Sequence, residues 1–289
     1  MTIPSLTLPS LTDIDRIINA ALAEDIGQGD ITSNATLPRG AQCHFAIRAR
    51  EACIVSGIEI AARLLMRTTP GESAPQIKIN VTDGTHAQAG TTLLEGAGLA
   101  SLIFRLERVA LNLMQHMSGI ATLTGRYVEA IAGTDVILLD TRKTTPGLRV
   151  LDKYAVRCGG AQNQRMRLDD AVLIKDNHIA VCGGVIKAIE KARAYVPASI
   201  RIEVECDTLD QVDEAVRAGA DIIMLDNMDI PTMREAVKRV AGKVPLEASG
   251  NVTLERIRLI AETGVQYISV GRITHSAPSV DIGLDVIMN

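Results

Sequence analysis

The strongest constraint on this chain of 289 residues is a pattern that recurs through its second half. Short apolar runs end in polar residues, and most lead into a helical stretch: 136–140, 171–175, 200–205, 222–226, 245–249 and 267–271. Runs that stay apolar at consecutive positions suit strands buried on both faces, and strands alternating with helices make a parallel sheet. The linking stretches carry helix signals. Thr208 and Gln211 form a capping box, Leu209, Val212, Ala215 and Val216 form an apolar stripe, and Gly219 sits where a helix-ending glycine belongs. The repeat predicts an α/β fold with an incomplete, open TIM-type barrel. A doubly wound sheet is the alternative.

The first half has a different texture. From Thr12, the residues Ile14, Ile17, Ile18, Ala21 and Leu22 follow helical spacing, and the pattern stops near Gly27 and Gly29. Between about 41 and 95, strand-like runs (43–47, 53–55, 77–81) alternate with turn signals such as Asp83-Gly84, with one helix near 58–67. Residues 100–131 read as a long helix. The texture changes after Gly133, which divides the chain into an N-terminal domain, 1–132, and a barrel, 133–289, with a last strand or helix free to return from the C-terminus.

Composition narrows the function classes. Aromatic residues make up 2% of the chain and Trp is absent, so the core is aliphatic and stacking platforms for single-stranded nucleic acid or glycans are scarce. A net charge of -4 argues against a nucleic-acid-coating protein. No apolar run approaches the ~18–20 residues of a membrane span. The first six residues have neither a basic nor an apolar signal region, so a cytoplasmic protein is expected. Cys43, Cys53, Cys158, Cys182 and Cys206 are scattered and never in C-x-x-C spacing, which reads as free thiols.

In a barrel, the C-terminal strand ends and the loops after them converge on one mouth. Here they carry Asp140, Arg142 and Lys143, then Lys175, Glu205, Asp226, Ser249 with Gly250, and Gly271 with Arg272. Any one of these taken alone reads as a solvated loop residue; the set reads as a site. Its basic part (Arg142, Lys143, Arg165, Lys175, with Arg149, Lys153 and Arg157 nearby) suits carboxylate or phosphate oxygens. Its acidic part, Glu205 and Asp226, suits a divalent metal or a developing cation. The turns at Ser249-Gly250-Asn251 and Val270-Gly271-Arg272 offer backbone N–H groups to a phosphate. Asp169-Asp170 precedes its strand and reads as a loop or cap, and His44, His116, His178 and His275 read as structural before catalytic. Rossmann and P-loop fingerprints, H-E-x-x-H and G-x-S-x-G are absent.

The run Asp140-Thr141-Arg142-Lys143-Thr144-Thr145-Pro146-Gly147-Leu148-Arg149, with Leu173-Ile174-Lys175-Asp176-Asn177-His178 and Leu246-Glu247-Ala248-Ser249-Gly250, resembles the quinolinate phosphoribosyltransferase family. Glu24-Asp25-x-Gly27-x-Gly29-Asp30, Glu107-Arg108 and Ser118-Gly119-Ile120-Ala121-Thr122 extend the likeness over nearly the whole chain. The resemblance implies an N-terminal α/β-sandwich domain on an open α/β barrel, in a homodimer or hexamer whose sites are shared between subunits. It implies phosphoribosyl transfer from phosphoribosyl pyrophosphate to quinolinate with decarboxylation, giving nicotinate mononucleotide, pyrophosphate and CO₂ for NAD synthesis. Carried over motif by motif, Arg142, Lys143, Arg165 and Lys175 line the dicarboxylate pocket, and Arg108 reaches in from a neighbouring subunit. Glu205 and Asp226 face the ribose and a Mg²⁺ brought with the pyrophosphate group, with no tightly bound organic cofactor, and Lys143 and Lys175 join them as catalytic candidates. Ser249, Gly250, Asn251, Gly271 and Arg272 hold the 5′-phosphate.

The chain departs from the family pattern at two places. Gly159-Gly160-Ala161-Gln162-Asn163-Gln164-Arg165 has Gln164 where a His is common, and Asn251 stands where Gly is usual. Gln donates a hydrogen bond but carries no proton charge, so Gln164 enters the substrate-binding set with altered chemistry. Competing readings are a paralogue that ribosylates another aromatic acid, a non-catalytic barrel that binds phosphorylated metabolites, and an aldolase using Lys175 as a Schiff-base amine.

Overall fold

The computed structural model describes residues 6–287; the expectation about the first six residues therefore falls, apart from Leu6, outside them. The first half forms α1 (Leu11–Ile26), α2 (Ile31–Thr36), β1 (Gln42–Ala49), β2 (Cys53–Ile54), α3 (Ile58–Leu65), β3 (Gln76–Ile79), β4 (His86–Ala87), β5 (Thr92–Leu99) and α4 (Ala100–Ala130). There follow β6 (Ile137–Leu139), α5 (Arg149–Cys158), β7 (Val172–Ile174), α6 (Asp176–Cys182), α7 (Val185–Tyr195), β8 (Ile202–Cys206), α8 (Leu209–Arg217) and β9 (Ile222–Asp226). The chain ends through α9 (Ile230–Val240), β10 (Leu246–Ser249), α10 (Leu254–Ala261), β11 (Tyr267–Ser269), α11 (Arg272–His275) and β12 (Ile282–Ile287). Two compact units result. Among the described residues, one takes in 6–125, Thr144–Gly160 and 273–287; the other is Arg126–Lys143 and Ala161–Arg272.

The first unit is built on an antiparallel sheet ordered β12-β1-β5-β3. β1 lies inside it, and Phe45, Ala46 and Ile47 are fully buried. The final strand returns to this unit: Ile47 pairs with Leu284, and Asp285 binds Arg48 at 2.9 Å. In α1, Ser10 caps the Asp13 N–H at 3.2 Å and Ile14, Ile17 and Ile18 are buried. The β texture runs further than the sequence suggests. β5 extends to Leu99 although it contains Gly96 and Gly98, because Phe45 and the backbone of Gln76 press on the first and Pro75 on the second.

The second unit is the barrel. Its parallel sheet runs β6-β11-β10-β9-β8-β7, one strand from each apolar run of the sequence. A further strand position, between β6 and β7 in the chain, shrinks to a single parallel bridge, Leu139 to Gln162. The sheet is therefore an open barrel with its seam between the 162–165 segment and β7, in place of a doubly wound sheet. The outer face packs aliphatic side chains: Val204, Ile223, Leu225, Ala248 and Ile268 are all fully buried. Thr208 and Gln211 form the expected capping box of α8, and Gly219 follows the helix with φ +74°.

The inner face is polar. Glu203 and Glu247 project from it, 7% and 1% exposed. Burial pushes the Glu203 carboxyl well above the usual range, and the neighbouring Glu247 charge adds to this. Burial pushes Glu247 up as well, with Glu205 and Asp140 adding to it. Two adjacent carboxyls buried this deeply do not both ionise at neutral pH.

Two expectations follow. Gly119 lies in α4 where a Cβ would fall 2.1 Å from the Pro278 carbonyl oxygen. Gly to Ala in an open helix stabilises by about 1 kcal/mol, whereas Gly119→Ala here should destabilise by about 1–3 kcal/mol. Urea unfolding measures it, and a stabilised variant would contradict the seating of Pro278 on α4. The second concerns Glu203 and Glu247. Both have folded-state pKa values raised above those of the unfolded chain, so the folded state holds more protons between the two. Their contribution is full below the ordinary carboxyl pKa of about 4.3 and is lost as pH rises through the raised values. Thermal melts at mildly acidic and mildly alkaline pH should show wild type declining and Glu203→Gln declining less; parallel profiles would refute it.

Candidate active site

Strand register places the charged side chains. Glu203 pairs with Ile222, Glu205 with Met224, Glu247 with both Met224 and Tyr267, and Asp226 with Ser249. Residues opposite one another in a parallel ladder share a face, so Glu203, Glu205, Met224, Asp226, Glu247 and Ser249 line one side. Continuing the β7–β8 register one step beyond Ile174–Val204 puts Lys175 opposite Glu205. The Lys175 ammonium donates to Glu205 Oε1 at 2.6 Å. Lys175 also caps α6, and His178 Nδ1 accepts the Lys175 N–H at 3.0 Å. His178 is thus a structural cap, as the sequence suggested.

Asp140 follows β6 and is fully buried, unlike the solvated loop residue it resembles in sequence. Its Oδ1 accepts the Gln164 backbone N–H at 2.8 Å and its Oδ2 accepts from the Asn163 side chain at 2.6 Å. The Asp140 N–H in turn donates to the Gln162 carbonyl, and the Gln162 N–H to the Leu138 carbonyl. The Gln164 side chain donates from Nε2 to Glu203 Oε2 at 3.1 Å, so the barrel interior engages the residue that departs from the family pattern.

Arg165 reaches across the seam and donates to the Ala171 carbonyl at 2.9 Å. Burial, and next the charge of Arg142, push its guanidinium pKa down. The two guanidinium groups are therefore near neighbours of like charge. The Nε atoms of both Arg142 and Arg165 are buried without a hydrogen-bond partner. Two such donors on neighbouring planar forks suit the oxygens of a dianion. A cavity of about 370 Å³ lies toward the N-terminal ends of the strands, at Val172, Arg201, Ile222 and Tyr267, and reaches Gln164, Arg165, Glu203 and Glu247; Arg142 is not on its wall.

The phosphate-binding candidates lie at the ends of β10 and β11. Gly250 has φ +88°, and a Cβ there would fall 2.2 Å from Asn227 Oδ1. Asn251 follows at φ +50°, a left-handed conformation that Asn tolerates and that a Gly would take without strain. Its side chain donates to Asn227 Oδ1 at 3.0 Å, which ties the turn after β10 to the turn after β9. Asn227 is absent from the sequence reading. Its own φ of +53° is the signal, and only the structure gives it. Gly271 and Arg272 follow β11 and lead into α11.

Most of the other expected residues belong to the first unit. Arg149, Lys153 and Arg157 lie on α5, in the first unit, where Arg157 stacks over the Tyr154 ring at 5.4 Å. Arg108 is exposed on α4, also in the first unit. His116 hydrogen-bonds Asp152 at 2.7 Å, and Asp152 accepts the Thr145 N–H at 2.8 Å. His275 bonds Ser276, and His44 is exposed on β1. Asp170 accepts the Met166 N–H at 2.7 Å, the loop role expected of it. Among the described residues all five cysteines are free, no group of three or more His, Cys, Asp or Glu is arranged to hold a metal ion, and no helix is long and apolar enough to cross a membrane.

Comparison with known proteins adds an independent line. Residues 30–118 match the N-terminal domain of quinolinate phosphoribosyl transferase and residues 120–285 its C-terminal domain. A probable nicotinate-nucleotide pyrophosphorylase [carboxylating] of Synechocystis is 42% identical over 99% of this chain and 97% of its own. The nicotinate-nucleotide pyrophosphorylase [carboxylating] of Mycobacterium leprae is 42% identical over 93% of this chain and 95% of its own. The crystal structure of the Ehrlichia chaffeensis nicotinate-nucleotide pyrophosphorylase matches with a TM-score of 0.91 at 43% identity, covering 97% of this chain and all of that one (100%). The charged inner face, the unpartnered guanidinium donors and full-length similarity converge, and the chain belongs to the quinolinate phosphoribosyltransferase family.

Proposed function

We propose that this chain transfers a phosphoribosyl group from phosphoribosyl pyrophosphate to quinolinate and releases pyrophosphate, CO₂ and nicotinate mononucleotide, a step in NAD synthesis. The observation that carries this reading is the convergence of Lys175, Glu205, Asp226 and Ser249 on one face of the parallel ladder, with the guanidinium groups of Arg142 and Arg165 close to each other. Holding two guanidinium groups together is unfavourable, and a bound dicarboxylate offsets it with charge-assisted hydrogen bonds. Lys175 adds positive charge on the inner face, Lys143 follows Arg142 in the same loop, and Arg108, exposed on its helix, is available to a neighbouring subunit of a homodimer or hexamer. Free cysteines support a cytoplasmic setting.

The quinolinate nitrogen attacks C1′ of the ribose as the pyrophosphate group leaves. Positive charge develops at C1′, and the Glu205 and Asp226 carboxylates stabilise it electrostatically from the inner face. Ser249, Gly250, Asn251, Gly271 and Arg272 hold the 5′-phosphate, with backbone N–H groups supplying donors in the turns. The ring nitrogen then carries positive charge. When CO₂ leaves, the electron pair left on C2 is stabilised by that charge and by the neighbouring cations, and it takes a proton from water to form the C2–H bond of nicotinate mononucleotide. Glu205 and Asp226 end adjacent strands and offer hard oxygens, which fits a Mg²⁺ that arrives with the diphosphate and uses one or two protein carboxylates. When bound, that ion neutralises charge on the departing pyrophosphate. The Lys175–Glu205 bond engages the nitrogen that a Schiff-base aldolase needs, so the transferase reading is preferred over that one.

The test is a pyrophosphate-release assay with quinolinate, nicotinate and other pyridine acids, with phosphoribosyl pyrophosphate as donor. Activity confined to another acid, or none, overturns the assignment. Arg142→Ala and Arg165→Ala should each raise KM for quinolinate about ten- to hundredfold, the equivalent of a lost charge-assisted hydrogen bond of about 1.5–3 kcal/mol, with a much smaller change for the phosphoribosyl donor. Equal effects on both substrates remove these residues from the carboxylate pocket. Gln164→His replaces a neutral donor to Glu203 with a group that can become cationic. It should lower quinolinate KM at mildly acidic pH, where an imidazolium is populated, and lose this advantage at alkaline pH. A fall in activity at both pH values would mark Gln164 as reading a different ring substituent.

A further inference from the structure

We propose that Asp140 is a positioning residue for the dicarboxylate pocket, whose carboxylate holds the 162–165 segment and so sets the spacing between Arg142 and Arg165. This rests on the quinolinate reading of the site. The barrel is incomplete at this point. Where a full strand would lie against β6, only the Leu139–Gln162 bridge forms, so the segment lacks the ladder that fixes Glu203, Glu205, Asp226 and Glu247. Asp140 takes over that task with both oxygens. One accepts the Gln164 backbone N–H at 2.8 Å and the other the Asn163 amide at 2.6 Å, while its own N–H binds the Gln162 carbonyl.

The placement ties the two guanidinium groups to one carboxylate. Arg142 lies two residues beyond Asp140 in the same loop, and Arg165 directly follows the Gln164 amide that Asp140 holds. The far edge of the segment is fastened by the Arg165 guanidinium on the Ala171 carbonyl at 2.9 Å and by the Met166 N–H on Asp170 at 2.7 Å, while the Gln164 side chain reaches Glu203. Arg142 and Arg165 repel each other, and Arg165 loses solvation in the seam. Without a rigid tether, the segment would relax outward and the two forks would separate. A fully buried carboxylate is costly unless its oxygens are well bonded, and here they bond the two donors that set the segment's path.

Asp140→Asn tests this, because the side chain keeps its size but has one acceptor facing two donors. In hydrogen exchange without ligand, the Gln164 amide should exchange about tenfold faster or more, as expected when a charge-assisted hydrogen bond is lost, while the β8–β10 amides keep their protection. In the steady-state assay, KM for quinolinate should rise by about tenfold or more, with kcat and the KM for phosphoribosyl pyrophosphate changing far less. Equal rises in both KM values, or a fall in kcat at unchanged quinolinate KM, overturn the proposal. So does a Gln164 amide that exchanges at the wild-type rate. If wild type does not use quinolinate at all, the functional reading fails, and the exchange measurement alone still decides the role of Asp140. Should Asp140→Asn not fold, Asn163→Ala removes only one of the two donors. It should give the same pattern at smaller size, and wild-type exchange together with wild-type KM in that variant refutes the idea.

Discussion

The parallel ladder of the barrel constrains everything above it. Adjacent parallel strands in register put every second residue on the same side, so the inward set is decided once the pairing is decided. Glu203 opposite Ile222 and Glu205 opposite Met224 commit the whole of β8. From there the pairings through β9 and β10 bring Asp226, Glu247 and Ser249 to the same side, and one further step along β7 brings Lys175 to Glu205. A slip of one residue in any of these strands would turn aliphatic side chains inward and carboxylates toward the helices. Full burial of Val204, Ile223, Leu225 and Ala248 on the outer face makes such a slip prohibitively unfavourable.

The barrel interior is arranged for charge at some cost in stability. Glu203 and Glu247 sit together in the core, and Arg142 and Arg165 are kept near each other beside them. Neither pair is favourable in isolation. The aliphatic outer layer and the helices hold the frame in which they persist. This is the ordinary relation between a preorganised polar site and the packed shell that supports it. The Gln164–Glu203 hydrogen bond belongs to the same arrangement, since it couples the segment bearing Arg165 to the acidic pair in the interior.

Much of the site was legible in the chain itself, for a physical reason. Lys175, Glu205, Asp226 and Ser249 each end an apolar run, and the end of a buried parallel strand is the one place where a polar side chain reaches both solvent and the barrel axis. Asp140 looked like the others and behaves differently, because the residue after β6 turns under the seam and is sealed there. Asn227 gave no local signal; its contact with Asn251 joins residues 24 positions apart. Arg149, Lys153 and Arg157 stand near the basic set in sequence and lie on α5, in the first unit.

The sequence by itself determined the repeating strand and helix units, the six parallel strands, the α8 capping box and the residue types at the strand ends. These depend on local periodicity and on hydrogen-bond chemistry within a few residues. The tertiary structure alone decided the rest. β5 forms despite two glycines because Phe45, Gln76 and Pro75 fill the space that side chains would occupy. β12 joins β1 across more than 230 residues, from a short run that shows no strand signal strong enough to read alone. The strand at Gln162 has no apolar run and shrinks to one bridge, held by a buried carboxylate that no periodicity reveals. Each of these is a contact between distant parts of the chain, and its free energy comes from partners that the local sequence does not contain.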